Sequence, residues 1–274
     1  MIWYFTAAVV AVCAVIVMTR KTSAPAPLEL TPGQAETLVK VMLECLDTDQ
    51  RAVRASTKRL VEEVARLAES GKHETAETEY ALGLWHYHTK PRDLKKAETA
   101  FRKAIAMRPD WSWSHNGLGL ILQSMGRDEE ARQAYLKAVE LEPAWSRPHN
   151  NLAVLLRTMG RLEEAEERAL TALKLDPDNV ATQNNYGTLL VDMQRYGEAE
   201  AAFKKAMALD PGHPSPYYNM ACLASLRGDV DEALGYLNSA VVLAREYREE
   251  AMGDPDFEAI RGLPQFRKLV YGEE

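Results

Sequence analysis

A repeat of 34 residues limits what this chain can fold into more than any other feature. Pro109, Pro143, Pro177 and Pro211 stand 34 apart. Ala97, Ala131, Ala165, Ala199 and Ala233 keep the same interval, as do Ala104, Ala138, Ala172, Ala206 and Ala240. Gly126, Gly160 and Gly228 share a third phase, in which Gln194 takes the glycine's place. Leu84, Leu118, Leu152, Tyr186 and Met220 put a large apolar residue at a fourth. The grid predicts five units without insertion or deletion: 78–111, 112–145, 146–179, 180–213 and 214–247. A period of this length belongs to stacked supersecondary units, none of which can bury its apolar sides alone.

Each unit predicts a helical hairpin. In the second, WSHNGLGLILQSM carries helical apolar periodicity. Gly126 supplies the left-handed residue that stops it. Asp128, Glu129 and Glu130 then open a second helix, where acids suit the positive helix end. Ala131, Tyr135, Ala138 and Leu141 form one stripe along it, and Pro143 forbids continuation. The grid alanines let the paired helices approach closely, and the larger residues fill the space between hairpins.

These residues resemble the tetratricopeptide repeat (TPR), whose pattern sets a small residue after a Leu in the first helix, and Ala, an aromatic, Ala and Pro in the second. Leu118, Gly119, Ala131, Tyr135, Ala138 and Pro143 match it in the second unit, and Tyr186, Gly187, Ala199, Phe203, Ala206 and Pro211 in the fourth. The resemblance implies an all-α fold, a right-handed α-α superhelix (a TPR solenoid). Two units depart from the pattern. Trp85 stands where the first should have a small residue, with Pro91 late in its first helix. Arg245 replaces the proline of the fifth, so its second helix is expected to run on.

The flanks are off the grid. Residues 32–77 read as an N-terminal helical cap, or as a degenerate repeat. Thr31-Pro32 supplies a helix start. Leu38, Val41, Met42 and Cys45 form one stripe, and Val53, Leu60, Val61, Val64 and Leu67 a second. Residues 248–274 resemble the closing segment of many bacterial TPR proteins through Asp254, Pro255, Asp256, Phe257, Arg261, Pro264 and Phe266. Short helices starting at Pro255 and Pro264 would lay Phe257, Ile260, Phe266 and Leu269 over the last hairpin, which would otherwise expose an apolar face.

Residues 2–19 read IWYFTAAVVAVCAVIVMT, without charge. As a helix they reach just under the ~30 Å hydrocarbon core of a bilayer. Trp3 and Tyr4 mark one interface, and Arg20 and Lys21 close the other end. A secretory signal carries its positive charge before the apolar run. The segment therefore reads as an N-terminal transmembrane helix, with a cleaved signal or a buried soluble helix as alternatives. Residues 20–31 form a Pro/Ala-rich linker. The charge placement expects a single-pass protein, bacterial inner membrane, with the TPR body cytoplasmic; a periplasmic body is the alternative.

Thirty-three basic side chains against 40 acidic ones give a net charge of -7. That argues against a nucleic-acid partner, which calls for a basic stripe. Cys13, Cys45 and Cys222 lie far apart and form no disulfide or zinc pattern. No Ser/His/Asp arrangement, phosphate loop or HExxH motif occurs. His86 and His88 point apart on a helix, and His115, His149 and Tyr217 look like packing positions. No enzyme activity, cofactor, metal or small-molecule substrate is expected.

In a TPR stack the first helix of each hairpin lines the concave side. Its inward phases give Asn116, Asn150 and Asn184, then Asn151, Asn185 and Asn219, with Arg147, Thr188 and Arg157. Each carboxamide offers two donors and an acceptor, a set that pairs with peptide N–H and C=O without reading sequence. The column resembles the asparagine ladder with which some TPR proteins hold a peptide backbone, though such asparagines can also serve only within the hairpins. The arginines would attract acidic groups. No lysine occupies the phases that a carboxylate clamp needs. Trp113 also faces inward, whereas Trp111 and Trp145 suit packing between hairpins. The expected role is a non-catalytic protein–protein interaction scaffold or assembly factor, tethered to the lipid bilayer and binding an extended or disordered segment of a partner. A co-chaperone or a regulatory subunit of a membrane-associated enzyme is the alternative.

Overall fold

The computed structural model describes residues 74–89 and 91–272. The expected anchor, the linker and the N-terminal segment through residue 73 lie outside the described residues. Among those described there is no strand, and no helix is long and apolar enough to cross a membrane. The chain divides into two compact units, between Glu142 and Pro143.

Among the described residues, the first unit holds two hairpins. Helices α1 (Ala76–His88) and α2 (Leu94–Met107) form one; α3 (Ser112–Ser124) and α4 (Asp128–Leu141) form the next. Thr75 caps α1 through a reciprocal box with Thr78, which satisfies two of the amide donors that a helix start leaves open. The second unit holds three hairpins: α5 (Ser146–Thr158) with α6 (Leu162–Leu175), α7 (Val180–Asp192) with α8 (Tyr196–Leu209), and α9 (Pro214–Arg227) with α10 (Val230–Leu243). Helix α11 (Glu246–Gly253), a 3-10 turn (Pro255–Phe257) and α12 (Pro264–Tyr271) follow.

The grid alanines do the steric work expected of them. Ala97, Ala131, Ala165, Ala199 and Ala233 are fully buried, as are Ala104, Ala138, Ala172, Ala206 and Ala240. A larger side chain there would hold the two helices of a hairpin apart. Phe101, Tyr135 and Phe203, all buried at one shared phase, reach from the second helix across to the first.

The first hairpin breaks the grid. The backbone N–H groups of Arg127, Arg161, Arg195 and Asp229 close their turns on carbonyls five residues back. That of Asp93 reaches seven back, to His86, at 3.0 Å. Two extra residues therefore sit in this turn, and α1 begins at Ala76 rather than at residue 78. Pro91 lies inside the turn, not late in the helix, because it has no N–H to give a helix interior. The shift also removes the anomaly at Trp85. Gly83 meets Phe101, with a Cβ position 2.8 Å from the ring, as Gly119 meets Tyr135 at 2.6 Å. Trp85 is half-buried.

Helix α10 does not run on through Arg245. Ala244 turns extended, with φ -153° and ψ 112°, and Arg245 leads into α11. Phe257, Ile260, Phe266 and Val270 are buried against α9 and α10 residues that include Tyr218, Leu237 and Val241. Burying such a side chain contributes about 1.5–3 kcal/mol, so this segment seals the apolar end of the second unit. Only a 3-10 turn forms at Pro255, in place of the expected helix.

Candidate functional site

Within the second unit the first helices of successive hairpins, α5, α7 and α9, pack side by side. Their amides join across that packing. Asn185 Nδ2 donates to Asn150 Oδ1 at 3.1 Å. Asn219 Nδ2 donates to Asn184 Oδ1 at 2.8 Å and to Thr188 Oγ1 at 3.2 Å. Thr188 Oγ1 in turn donates to the Asn184 carbonyl at 3.1 Å. Five of the expected site residues thus form an inter-hairpin ladder. Each amide-to-amide rung joins residues 35 apart, one more than the repeat, because neighbouring helices pack with a one-residue offset.

Arg157 follows the same step, with Nη1 2.9 Å from Asp192 Oδ2. Sequence reasoning does not single out Asp192, although the 35-residue interval points to it. Both side chains of this pair are partly exposed. Arg147 and Asn151 are half-buried on α5. Asn116 belongs to the first unit and is buried on α3. Trp145 is buried, and Trp111 carries the Arg108 guanidinium 5.0 Å above its ring. Trp113 lies edge-on to Tyr80 at 6.3 Å.

A second repeat phase, at which His115, His149 and Tyr217 are expected to pack, makes polar contacts. His115 Nε2 lies 2.9 Å from the Pro109 carbonyl, and His149 Nε2 3.1 Å from that of Pro143. Gln183 Nε2 donates to Pro177 at 3.1 Å, and the Tyr217 hydroxyl to Pro211 at 3.2 Å. Each side chain satisfies the proline carbonyl six residues back, at the turn between hairpins. A carbonyl only accepts, so both imidazoles hold their proton on Nε2. His149 is buried, and burial lowers its pKa below the ordinary histidine value; Arg168 pushes the same way. Its Nδ1 has no partner.

Charge pairs link successive second helices. Arg127 bridges Glu130 and Glu98 in the first unit, and Arg195 bridges Glu198 and Glu166 in the second. These pairs are partly exposed and each is worth at most about 1 kcal/mol.

A tetratricopeptide-repeat family model matches residues 146–212 and again 178–246, and a second one matches 113–145. Residues 113–246 are tetratricopeptide repeats. A thermophilic TPR protein of Thermus thermophilus is similar in fold, with 23% identity over 64% of this chain and 96% of its own, at a TM-score of 0.58. PilF of Pseudomonas aeruginosa shares 22% identity over 80% of this chain and 97% of its own, at 0.54. PilW, described as a widely conserved type IV pilus biogenesis factor, shares 18% over 68% and 97%, at 0.57. No curated protein matches in sequence. TPR proteins bind other proteins, and the fold is typically a non-catalytic interaction scaffold. The amide ladder lies on the first helices of its three hairpins.

Proposed function

We propose that this chain is a membrane-tethered TPR scaffold or assembly factor that holds an extended segment of another protein along the amide column of α5, α7 and α9. The observation that carries this reading is the ladder itself. Asn150, Asn185 and Asn219 are half-buried and so reach solvent. Each rung commits only part of what a carboxamide offers. Asn185 spends one N–H on Asn150, and Asn150 one lone pair, which leaves further donors and acceptors on both. An extended backbone presents alternating N–H and C=O groups that such a column can pair without reading side chains. The internal bonds fix the amides in advance and so reduce the ordering cost of binding.

Tethering rests on the uncharged run at 2–19, followed by Arg20 and Lys21. The same charges favour a body on the cytoplasmic side of a bacterial inner membrane, with a periplasmic body as the alternative. An assembly role is in keeping with the pilus biogenesis factor among the similar structures, a likeness of fold alone.

The test replaces Asn150, Asn151, Asn184 and Asn185 with Ala in the full chain. Proteins cross-linked to the parent and to the variant are then compared, with helicity measured on both. Recovery of the main partner should fall at least about tenfold with helicity kept, the size of effect expected when a few hydrogen bonds are lost. Equal recovery would refute the column as the docking site.

A further inference from the structure

Outside the amide column, one cluster mixes a thiol with carboxylates. Cys222 sits on α9 with its side chain buried, 8% exposed. It is a free cysteine. Asp254 and Asp256 bracket Pro255 in the turn after α11. Cys222 Sγ and one oxygen from each carboxylate all lie within 4.8 Å of one another. Sγ is 3.7 Å from Asp254 Oδ2. A tetrahedral zinc ion with Zn–S near 2.3 Å and Zn–O near 2.0–2.2 Å sets its sulfur and oxygen ligands about 3.5 Å apart, close to that spacing.

The surroundings hold these groups in place. The Tyr218 hydroxyl donates to Asp254 Oδ2 at 2.7 Å, and the Asp256 N–H donates to Asp254 Oδ1 at 3.0 Å. Ser225 Oγ donates to the Asp256 carbonyl at 2.7 Å and ties the turn to α9. Arg261, the basic side chain beside the turn, spends its guanidinium on the Asp254 main-chain carbonyl and on Glu258. Among the described residues no ion pair reaches Asp254 or Asp256. Three groups that ionise to anions therefore converge on one point, and the Tyr218 hydroxyl and a main-chain N–H hold the Asp254 carboxylate in place, as partners of metal ligands commonly do.

We propose that Cys222, Asp254 and Asp256 form a site for a thiolate-accepting divalent cation of the zinc class. The ion takes the sulfur and one oxygen from each carboxylate, and water completes a four-coordinate shell. Binding releases the thiol proton to solvent. A sulfur ligand selects zinc over magnesium or calcium, which favour all-oxygen shells. Because Cys222 lies on the last hairpin and both aspartates on the closing segment, the ion clips that segment to the end of the repeat array.

The probe is Co2+, whose bond to a thiolate gives an absorption band that carboxylates do not. Full-length protein, reduced and in detergent, should show this band on titration, lose it when Zn2+ is added, and melt at higher temperature with Zn2+ present. Cys222→Ser should abolish the band with Cys13 and Cys45 intact. Tyr218→Phe, which keeps the ring against Phe257, should weaken Co2+ binding about tenfold or more through loss of the hydrogen bond that orients the Asp254 carboxylate. Absence of a sulfur band in folded protein would overturn the proposal and leave a turn held by hydrogen bonds alone. A band that persists in Cys222→Ser would do the same.

Discussion

Gln194 and Gly160 occupy the same place in successive hairpins and share a left-handed backbone, with φ 60° and 74°. Glycine adopts this conformation freely, whereas a residue with a Cβ is strained in it by about 1–2 kcal/mol. Gln194→Gly should therefore stabilise the protein by about 1 kcal/mol, after allowance for the greater freedom of glycine in the unfolded chain. Thermal unfolding would show this as a rise of about 2–4 °C.

Gly187 and Phe203 make the opposite case. A Cβ on Gly187 would lie 2.5 Å from Phe203 Cε1 inside a closed contact. Alanine favours helices by about 1 kcal/mol over glycine, but overpacking a filled core costs about 1–3 kcal/mol. Gly187→Ala should destabilise on balance. Adding Phe203→Leu should recover part of the loss, so that a double-mutant cycle in urea gives a coupling well above its error.

Much of this is legible in the sequence. The 34-residue spacing of prolines and alanines announces stacked hairpins, because helix ends and close helix contacts each demand one residue type. The first hairpin is misplaced by that spacing because Leu84 falls on the grid by coincidence. An insertion in a turn alters no apolar residue, and its trace, the backbone bond from Asp93 to His86, is invisible in sequence. The asparagines stand out as a column, but their pairing does not. That pairing depends on the one-residue offset between neighbouring helices, which a repeat length does not reveal. The polar role of His149 escapes sequence reasoning because the atom it serves is a main-chain carbonyl.

His149 also predicts a pH dependence. Its folded pKa lies below the ordinary value near 6.5, owing chiefly to burial. The unfolded chain then binds more protons than the folded one just below that value, so stability is full above it and falls as pH drops through it. Gln183 does the same work in the next hairpin without a titrating group. His149→Gln should flatten the loss of stability between about pH 7 and 5, as followed by urea midpoints across that range.

The Asn185–Asn150 rung should be worth a measurable amount. Each alanine variant should cost about 1 kcal/mol, with a coupling of about 0.5–1.5 kcal/mol between them. Coupling near zero in urea unfolding would mean that the rung forms without contributing to stability.

Site-specific photo-cross-linking decides whether the α5–α7–α9 column receives a partner's chain. A photoreactive residue at 151, on the column, and another at 170, an exposed position on α6, would be compared in cells that make the full chain. One partner protein should be captured at 151, through an extended segment, and be absent at 170. Capture at 170 alone, or equal capture at both, would contradict it.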